Sequence, residues 1–499
     1  MFMKMTKLKY TKSLAEKAIF VTILIAGIGL LLSVYFLRAY NGNNNLIGDQ
    51  PYFDLRISKQ LIESKEIPSY DDLSYGGRPF TYLLGWPTML VAMSKITGIE
   101  LKDVAIMLPI VLGFLAILFF GLIIDRFTNN KKIRNLAMLI FILSPPFLYL
   151  FSTSNPFAMV FLLSELSFYL LLKGSRISLI FSLIALSLIA FFSLFATLFV
   201  LAIFLTYILI KDRKKLKWFF ASLFLILAIW FYNFIGFVTK FGFPELIKFK
   251  FLESALNFNF QIFFSDFGGR FGLSIFSAFL ALIGIYVLWK QKYKYILVYL
   301  SVILLIFASV YLNFVLFYLN IVVAVLGSIG ILSILERRWE SKFIKMFSIL
   351  ILICGIIFSG LSFIKQMSLM EPSTRQMAAL NYLEEKANPG SVIFSYYDRG
   401  FWFNYIGNKN VMDLNFFYAP KVNERWQDSL RLLNSNNIDT TLEILDKYKV
   451  NYIWLDKSVK NKFYGSKEIN FLYQLKYDPR FKVVYRNLDV EIWKYEKLI

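Results

Sequence analysis

The chain has no histidine and one cysteine, Cys354, among 499 residues. The first absence excludes Ser-His-Asp and Cys-His catalysis, histidine general bases and every histidine-containing metal site. The second excludes an intrachain disulfide and a thiolate metal cluster. Charge is also scarce: Asp, Glu, Lys and Arg make up 17% of the residues, against about 25% in a soluble domain. A soluble globular enzyme is thereby disfavoured. Any chemistry rests on Asp, Glu, Lys, Arg, Tyr, Ser, Thr and side-chain amides.

Apolar side chains are plentiful, at 58% with 54 Phe. Runs long enough to cross roughly 30 Å of hydrocarbon recur between 17 and 365. Spans are predicted near 17–37, 103–124, 136–151, 157–172, 177–192, 194–210, 217–237, 272–289, 295–312, 314–333 and 345–365. The first follows five lysines, lacks a clear small-residue cleavage site and reads as a retained anchor.

The run Tyr82–Ile96 contains Gly85, Pro87, Ser94 and Lys95 and is ambiguous. Parity decides it, because Lys and Arg accumulate on cytoplasmic loops. If it does not cross, the cytoplasmic segments are 1–17, 125–135, 173–176, 211–217, 290–294 and 334–345. Their charges are +4, +3, +2, +4, +3 and +2, which is 18 of the chain's 21 net positive charges. If it crosses, every later basic loop faces outside. It therefore reads as a helix in or on the external leaflet. The expectation is a polytopic α-helical membrane protein of about eleven spans, N-terminus cytoplasmic. The +21 records topology, so no nucleic-acid partner is expected.

Two divisions follow: a membrane domain over 1–369, with external loops 38–102 and 238–271, and a tail domain over 370–499. The tail alternates strand-like runs (Ser391–Tyr397, Val450–Trp454, Phe481–Tyr485) with helical stretches near 373–387, 423–434 and 438–448. That alternation predicts a small α/β domain, which the charge parity above places on the extracytoplasmic side.

Polar residues stand out against this background. Glu165 is the main acid inside a span. Intramembrane acids are functional candidates, and Ser164 and Ser167 offer the alternative of local satisfaction. The first external loop is the richest region: Asp49, Asp54, Asp71 and Asp72 lie beside Arg56, Arg78 and several tyrosines. Asp49 precedes a short amphipathic helix over Tyr52–Glu63. It reads either as a helix cap or as a carboxylate that activates an acceptor or holds a divalent cation. In the second long loop, Gly268-Gly269-Arg270 reads either as a phosphate-binding turn or as a plain turn before a helix.

The run Gly48-Asp-Gln-Pro-Tyr-Phe-Asp-Leu-Arg56, followed by Ile67-Pro-Ser-Tyr-Asp-Asp-Leu-Ser-Tyr-Gly-Gly-Arg78, resembles the first external loop of GT-C membrane glycosyltransferases. It looks closest to the catalytic subunit of oligosaccharyltransferase and its archaeal and bacterial relatives. In that family the loop carries an essential Asp, and the helix after it does not cross the bilayer. Tyr396-Tyr397-Asp398-Arg399-Gly400 is similar to the family's WWDYG motif at a strand end in an external C-terminal domain. Two aromatics, the Asp and the Gly are kept; aromatic-Asp-Gly is also common turn chemistry.

There are departures. An ungapped fit on Arg56 puts Gln50 at the family's catalytic Asp; Asp49 fits with a one-residue slip, and Asp54 sits where relatives have Asn or His. The second external loop, Ser152-Thr-Ser-Asn-Pro156, has no acid where the family supplies metal ligands. The resemblance implies a polyprenyl-phosphate or polyprenyl-pyrophosphate sugar donor bound from the bilayer, and a single inverting displacement onto a protein or glycan acceptor at the extracytoplasmic face. It implies Asp49, or failing it Asp54, as base, with Arg56, Arg78 and Arg270 on the donor phosphate. Tyr396, Tyr397 and Asp398 lie on the acceptor side. Mg²⁺ or Mn²⁺, if used, falls to Asp49 with Asp266 and weakly Asn155. Readings that stay open are a monosaccharide transferase, which often needs no metal, an oligosaccharyl transferase, a noncatalytic scaffold that keeps the fold, and a transporter. Chelator sensitivity separates the first two.

Overall fold

The computed structural model describes residues 2–64, 66, 69–241, 263–269, 271–290, 292–416, 418–465 and 469–497. Among the described residues, seven helices are long and apolar enough to cross a bilayer: Glu16–Tyr40, Leu101–Thr128, Pro156–Lys173, Leu194–Lys211, Arg213–Phe241, Val315–Glu336 and Lys342–Ser368. The chain is therefore a multi-pass membrane protein. Lys131–Ile142 and Pro145–Ser152 form an eighth span if counted together, bent by 61°. The bend has a local cause. Pro145 and Pro146 lack N–H donors, and a residue before proline is pushed to extended backbone, as Ser144 is at ψ 137°. Three further apolar helices, Arg176–Phe191, Ile275–Trp289 and Ile296–Tyr311, have only 10–17 residues. The eleven expected runs all fall on apolar helices, but length and composition qualify seven or eight as spans. Helix Gly85–Thr97, from the ambiguous run, is not one of them.

The chain forms two compact units. One comprises Met1–Asn41, Ile106–Tyr232 and Leu256–Leu369; the other comprises Gly42–Ala105, Asn233–Ala255 and Met370–Ile499. The first long loop thus groups with the tail rather than with the helices it connects.

In the helical unit, Ile275–Trp289 and Val315–Glu336 approach at backbone distance. A Cβ on Gly284 would overlap the Leu326 carbonyl oxygen, and one on Gly330 would overlap the Leu280 carbonyl oxygen. Small residues at helix crossings permit such contact in a membrane, where dispersion replaces the hydrophobic drive. Polar side chains pair across helices. The Asn320 Nδ2 donates to Ser144 Oγ at 2.7 Å, and Ser167 and Ser182 each donate to the other's carbonyl at 2.8 Å. Glu165 is buried, and neither carboxyl oxygen has a hydrogen-bond partner among the described residues. Local satisfaction by its neighbouring serines is not what the structure has. Ser164 donates to the Phe161 carbonyl and Ser167 to Ser182.

The second unit holds a two-stranded ribbon, β1 (Tyr70–Asp71) with β2 (Arg78–Pro79), and a five-stranded sheet. The sheet comprises β3 (Val392–Phe394), β4 (Lys409–Asn410), β5 (Val450–Asp456), β6 (Phe481–Arg486) and β7 (Val490–Tyr495), in the order β4-β3-β5-β7-β6. β3 pairs in parallel with β4 and β5; β7 runs antiparallel to β5 and β6. Helices Thr374–Lys386, Val422–Leu433 and Ile438–Lys447 accompany it. The first is started by a capping box: Ser373 accepts from the Gln376 amide and Gln376 from the Ser373 amide. Phe394, Leu433, Leu445, Ile453, Leu455 and Phe471 form the centre of the core. Tyr396 and Tyr397, expected at the end of a strand, lie just beyond β3.

Candidate active site

Helix Gln50–Ser64 is fixed by an aromatic cluster. Phe53 is fully buried, and its ring centroid lies 4.7 Å from Tyr82 and 4.8 Å from Phe401. This draws residues 48–54 against the short helix Gly400–Tyr405, which directly follows Tyr396–Arg399.

Asp49 lies at the contact. Its backbone carbonyl starts its own helix, accepting from the Tyr52 amide at 3.0 Å. Its carboxylate serves the other helix: Oδ1 accepts from the Trp402 amide at 3.0 Å and Oδ2 from the Phe401 amide at 3.4 Å. The Trp402 indole donates to the Gly48 carbonyl at 3.2 Å. Burial and the neighbouring Asp398 push the Asp49 pKa well above the carboxylate range; Arg399 and the Phe401 amide oppose them. A carboxylate offers about four lone-pair sites, so acceptor capacity remains on both oxygens.

Asp54 is one turn further along. Tyr82 donates its hydroxyl to Oδ1 at 2.8 Å, and the Gln50 amide donates to that hydroxyl at 3.1 Å. Oδ2 has no partner among the described residues. Burial pushes its pKa up to about 7, against the opposing hydrogen bonds from Tyr82 and Gln50. Exposure separates the two acids: Asp49 keeps 6% of its surface and Asp54 none.

Arg56 and Arg78 are both engaged. Arg56 forks onto Asp71 at 2.9 and 2.6 Å. Burial opposes the Asp71 charge, but the Arg56 pair outweighs it and lowers the pKa. Arg78 is buried, donates to the Asn415 carbonyl at 2.5 Å and lies over the Tyr75 ring at 5.7 Å. Residues 71–78 are thereby folded against 410–415. Ser74 donates to Asp413, and the Tyr75 amide and hydroxyl bond to Asn410 and the Asp413 carbonyl. Burial raises the Asp413 pKa although Arg78, Ser74 and Asn410 favour its charge.

Arg399 is the second centre. It is buried and pairs with Asp456 at 2.7 Å, with Asp398 at 3.2 Å and with Glu371. Burial works against its charge, and the three carboxylates more than offset that. Sequence reasoning missed Glu371 and Asp456 around Arg399, and Asp413 beside Ser74 and Asn410. One signal was available for Asp456: it ends a strand and caps the next helix, accepting from the Val459 amide at 2.9 Å.

The rings of Tyr396 and Tyr397 meet at 4.5 Å, tilted by 52°, beside Trp426, whose ring lies 6.1 and 5.1 Å from theirs. Lys462 donates to the Tyr396 hydroxyl at 2.8 Å. The Asp398 side chain is 38% exposed.

The remaining candidates lie elsewhere. Asp266 belongs to the helical unit, where Ser359 donates to Oδ1 at 2.5 Å and the Ile275 amide to Oδ2 at 2.7 Å. It caps the first turn of Ile275–Trp289, whose N-cap residue Ser274 makes no cap bond. Asn155, also in that unit, donates to the Leu150 and Thr153 carbonyls and to Thr153 Oγ1, and its Oδ1 has no partner among the described residues. Arg270 lies outside the described residues. Among the described residues, no three His, Cys, Asp or Glu side chains are grouped to hold a metal ion. Within either unit by itself, the described residues thus group no three such donors for Mg²⁺ or Mn²⁺.

No protein-family model matches the chain, and no curated protein matches it. Solved structures do. The oligosaccharyltransferase AglB from Archaeoglobus fulgidus, in complex with an inhibitory peptide and a dolichol-phosphate, aligns over 92% of this chain and 72% of its own, with TM-score 0.64 and 13% identity. The chain has the GT-C fold. ArnT from Cupriavidus metallidurans, bound to undecaprenyl phosphate, shares that GT-C fold over 95% of this chain and 97% of its own, with TM-score 0.52 and 11% identity. The mycobacterial arabinofuranosyltransferase AftD aligns over 96% of this chain but 40% of its own, with TM-score 0.56 and 13% identity. At such identities the likeness is one of GT-C architecture.

Proposed function

We propose that this GT-C chain is an integral-membrane glycosyltransferase. It moves a sugar or oligosaccharide from a polyprenyl-phosphate or polyprenyl-pyrophosphate donor to a protein or glycan acceptor at the extracytoplasmic face. Solved proteins of the same fold are named with dolichol-phosphate and undecaprenyl phosphate bound. The observation that carries the reading is the place of Asp49. Two sequence segments 352 and 353 residues apart at their contacts, each singled out by its own motif, meet at that one carboxylate.

Asp49 is the base in this reading. The acceptor oxygen or nitrogen attacks the anomeric carbon, and the bond to the phosphate oxygen breaks with inversion. Asp49 takes the acceptor proton, and the polyprenyl phosphate or pyrophosphate leaves. Burial and the neighbouring Asp398 raise its proton affinity above that of an ordinary carboxylate, which favours taking a proton from the acceptor. The Phe401 and Trp402 amides fix the carboxylate's direction. Asp54, with no exposed surface, positions the start of the helix through Tyr82 and Gln50. Arg56 and Arg78 each keep an Nε donor with no hydrogen-bond partner among the described residues, beside their bonds to Asp71 and the Asn415 carbonyl, as the group to offer a donor phosphate.

Transfer assays on Asp49→Ala and Asp54→Ala with a polyprenyl-linked sugar test the assignment. Loss of general-base help costs roughly 10²- to 10⁴-fold. Asp49→Ala should fall by that much and Asp54→Ala by less. Full transfer by Asp49→Ala sinks the base assignment.

A further inference from the structure

Gly48, the residue before Asp49, is held at both of its polar backbone groups. Its N–H donates to the Glu371 carbonyl at 2.7 Å, and its carbonyl accepts from the Trp402 indole at 3.2 Å. Its φ of 92° lies in the left-handed region, which glycine enters without strain. Trp402 therefore grips this stretch twice. Its amide holds the Asp49 carboxylate at 3.0 Å, and its indole holds Gly48. The direction of Asp49 thus depends on where one buried ring sits.

That ring is itself fixed. The Arg399 guanidinium carbon lies over it, 4.8 Å from the ring centroid. Three nitrogens of the guanidinium are taken by carboxylates: Nε by Asp456 at 2.7 Å, Nη1 by Asp398 at 3.2 Å and Nη2 by Glu371. Charge balance needs one carboxylate. Three of them, on a rigid planar fork, fix the plane. With its edges held, the guanidinium turns its face to the indole, where a desolvated cation is worth about 2 kcal/mol. Glu371 closes the circuit, because its carboxylate holds Arg399 while its own carbonyl holds Gly48. Contacts run from Gly48 through Trp402, Arg399 and Glu371 back to Gly48. The Arg399 side chain is not spent on the helix it precedes: it makes no cap bond to Gly400–Tyr405.

We propose that Arg399 is a positioning residue for Asp49, acting through the Trp402 ring; this rests on the reading of Asp49 as the base. No ion pair joins Arg399 to Asp49 among the described residues, so its effect is carried by the ring it holds. A lysine keeps the charge but has no plane, and it cannot meet three carboxylates and lie flat on an indole at once.

The test uses the purified full-length chain with a polyprenyl-linked sugar, and kcat is counted per folded molecule. A reacting group misplaced by about 1 Å costs on the order of 10²-fold. Arg399→Lys should therefore lower kcat by about 10- to 100-fold and leave the donor KM within about twofold. Trp402→Phe keeps the backbone amide on Asp49, loses the indole donor to Gly48, and should lower kcat in the same direction. Because one acts through the other, the double variant should lose less than the product of the two single losses. Glu371→Ala loosens the cluster from a side chain that is 34% exposed and serves where Arg399→Lys does not fold. It too should lower kcat at unchanged KM. A spectroscopic reading needs no transfer. In protein labelled with 5-fluorotryptophan, the fluorine resonance that Trp402→Phe removes should shift in Arg399→Lys and in Glu371→Ala. Wild-type kcat per folded molecule in Arg399→Lys or Glu371→Ala, losses that multiply in the double variant, or an unmoved resonance overturns the proposal. Failure of the base reading itself shows separately, as full transfer by Asp49→Ala.

Discussion

Asp54 and Arg399 show how differently a buried charge behaves with and without partners. Asp54 has one hydroxyl donor and an oxygen with no partner, so burial wins and its pKa rises from 3.8 to about 7. The native state then holds a proton between about pH 4 and 7 that the unfolded chain has released. Stability should fall as pH rises through that window and level off above it. Asp54→Asn keeps an acceptor for Tyr82 and has nothing to titrate. It should flatten the slope and stabilise the protein at pH 8 by up to about 4 kcal/mol. Thermal unfolding at pH 5 and pH 8 checks this; an Asp54→Asn variant with the wild-type pH slope contradicts it. Arg399 has three carboxylates. Arg399→Met leaves the buried Asp456 without its cation, and removing one partner of a buried pair costs about 3–5 kcal/mol. Denaturation monitored by the tail's tryptophans should show that loss, and a change within about 0.5 kcal/mol would count against the network.

Among the elements, those carried by long-period patterning were legible in the sequence. The membrane helices follow from apolar runs, and the tail helices near 373–387, 423–434 and 438–448 lie within a residue or two of Thr374–Lys386, Val422–Leu433 and Ile438–Lys447. Short or late elements were not. β4 has two residues, too few for any alternation, and exists because β3 offers it an edge. The break at Ser144 was written in Pro145-Pro146, but an apolar run over 136–151 masks it in hydropathy alone. The Asp266 cap was hidden because the acid lies nine residues before the helix turn it caps. The crossing of Ile275–Trp289 with Val315–Glu336 depends on two glycines. Gly284→Val forces the Leu326 backbone away, and overpacking of this kind costs about 1–3 kcal/mol. A lower unfolding temperature in detergent is expected for Gly284→Val, and an unchanged one would mean the helices separate freely.

Across the whole molecule, charge placement and fold carry different information. The basic loops carry the expectation of which helix ends share a side, and the apolar runs mark the helices, seven or eight of them long and apolar enough to cross a bilayer among the described residues. Neither indicated that residues 42–105 form one compact unit with the tail. That grouping rests on pairings more than 300 residues apart, such as Asp49 with Trp402 and Ser74 with Asp413. The candidate site was half legible for the same reason. Its acids stood out as polar residues in an apolar chain, but which acid meets the Tyr396–Gly400 segment is fixed by tertiary contacts. The central claim is that these contacts assemble a polyprenyl-dependent transferase. The most direct measurement is transfer by the full chain in proteoliposomes supplied with dolichol- and undecaprenyl-phosphate-linked hexoses and candidate protein and glycan acceptors. The account predicts labelled acceptor with inverted anomeric configuration, one polyprenyl phosphate released per sugar, and loss of both products in Asp49→Ala. A product with retained configuration, or transfer undiminished in Asp49→Ala, would contradict it.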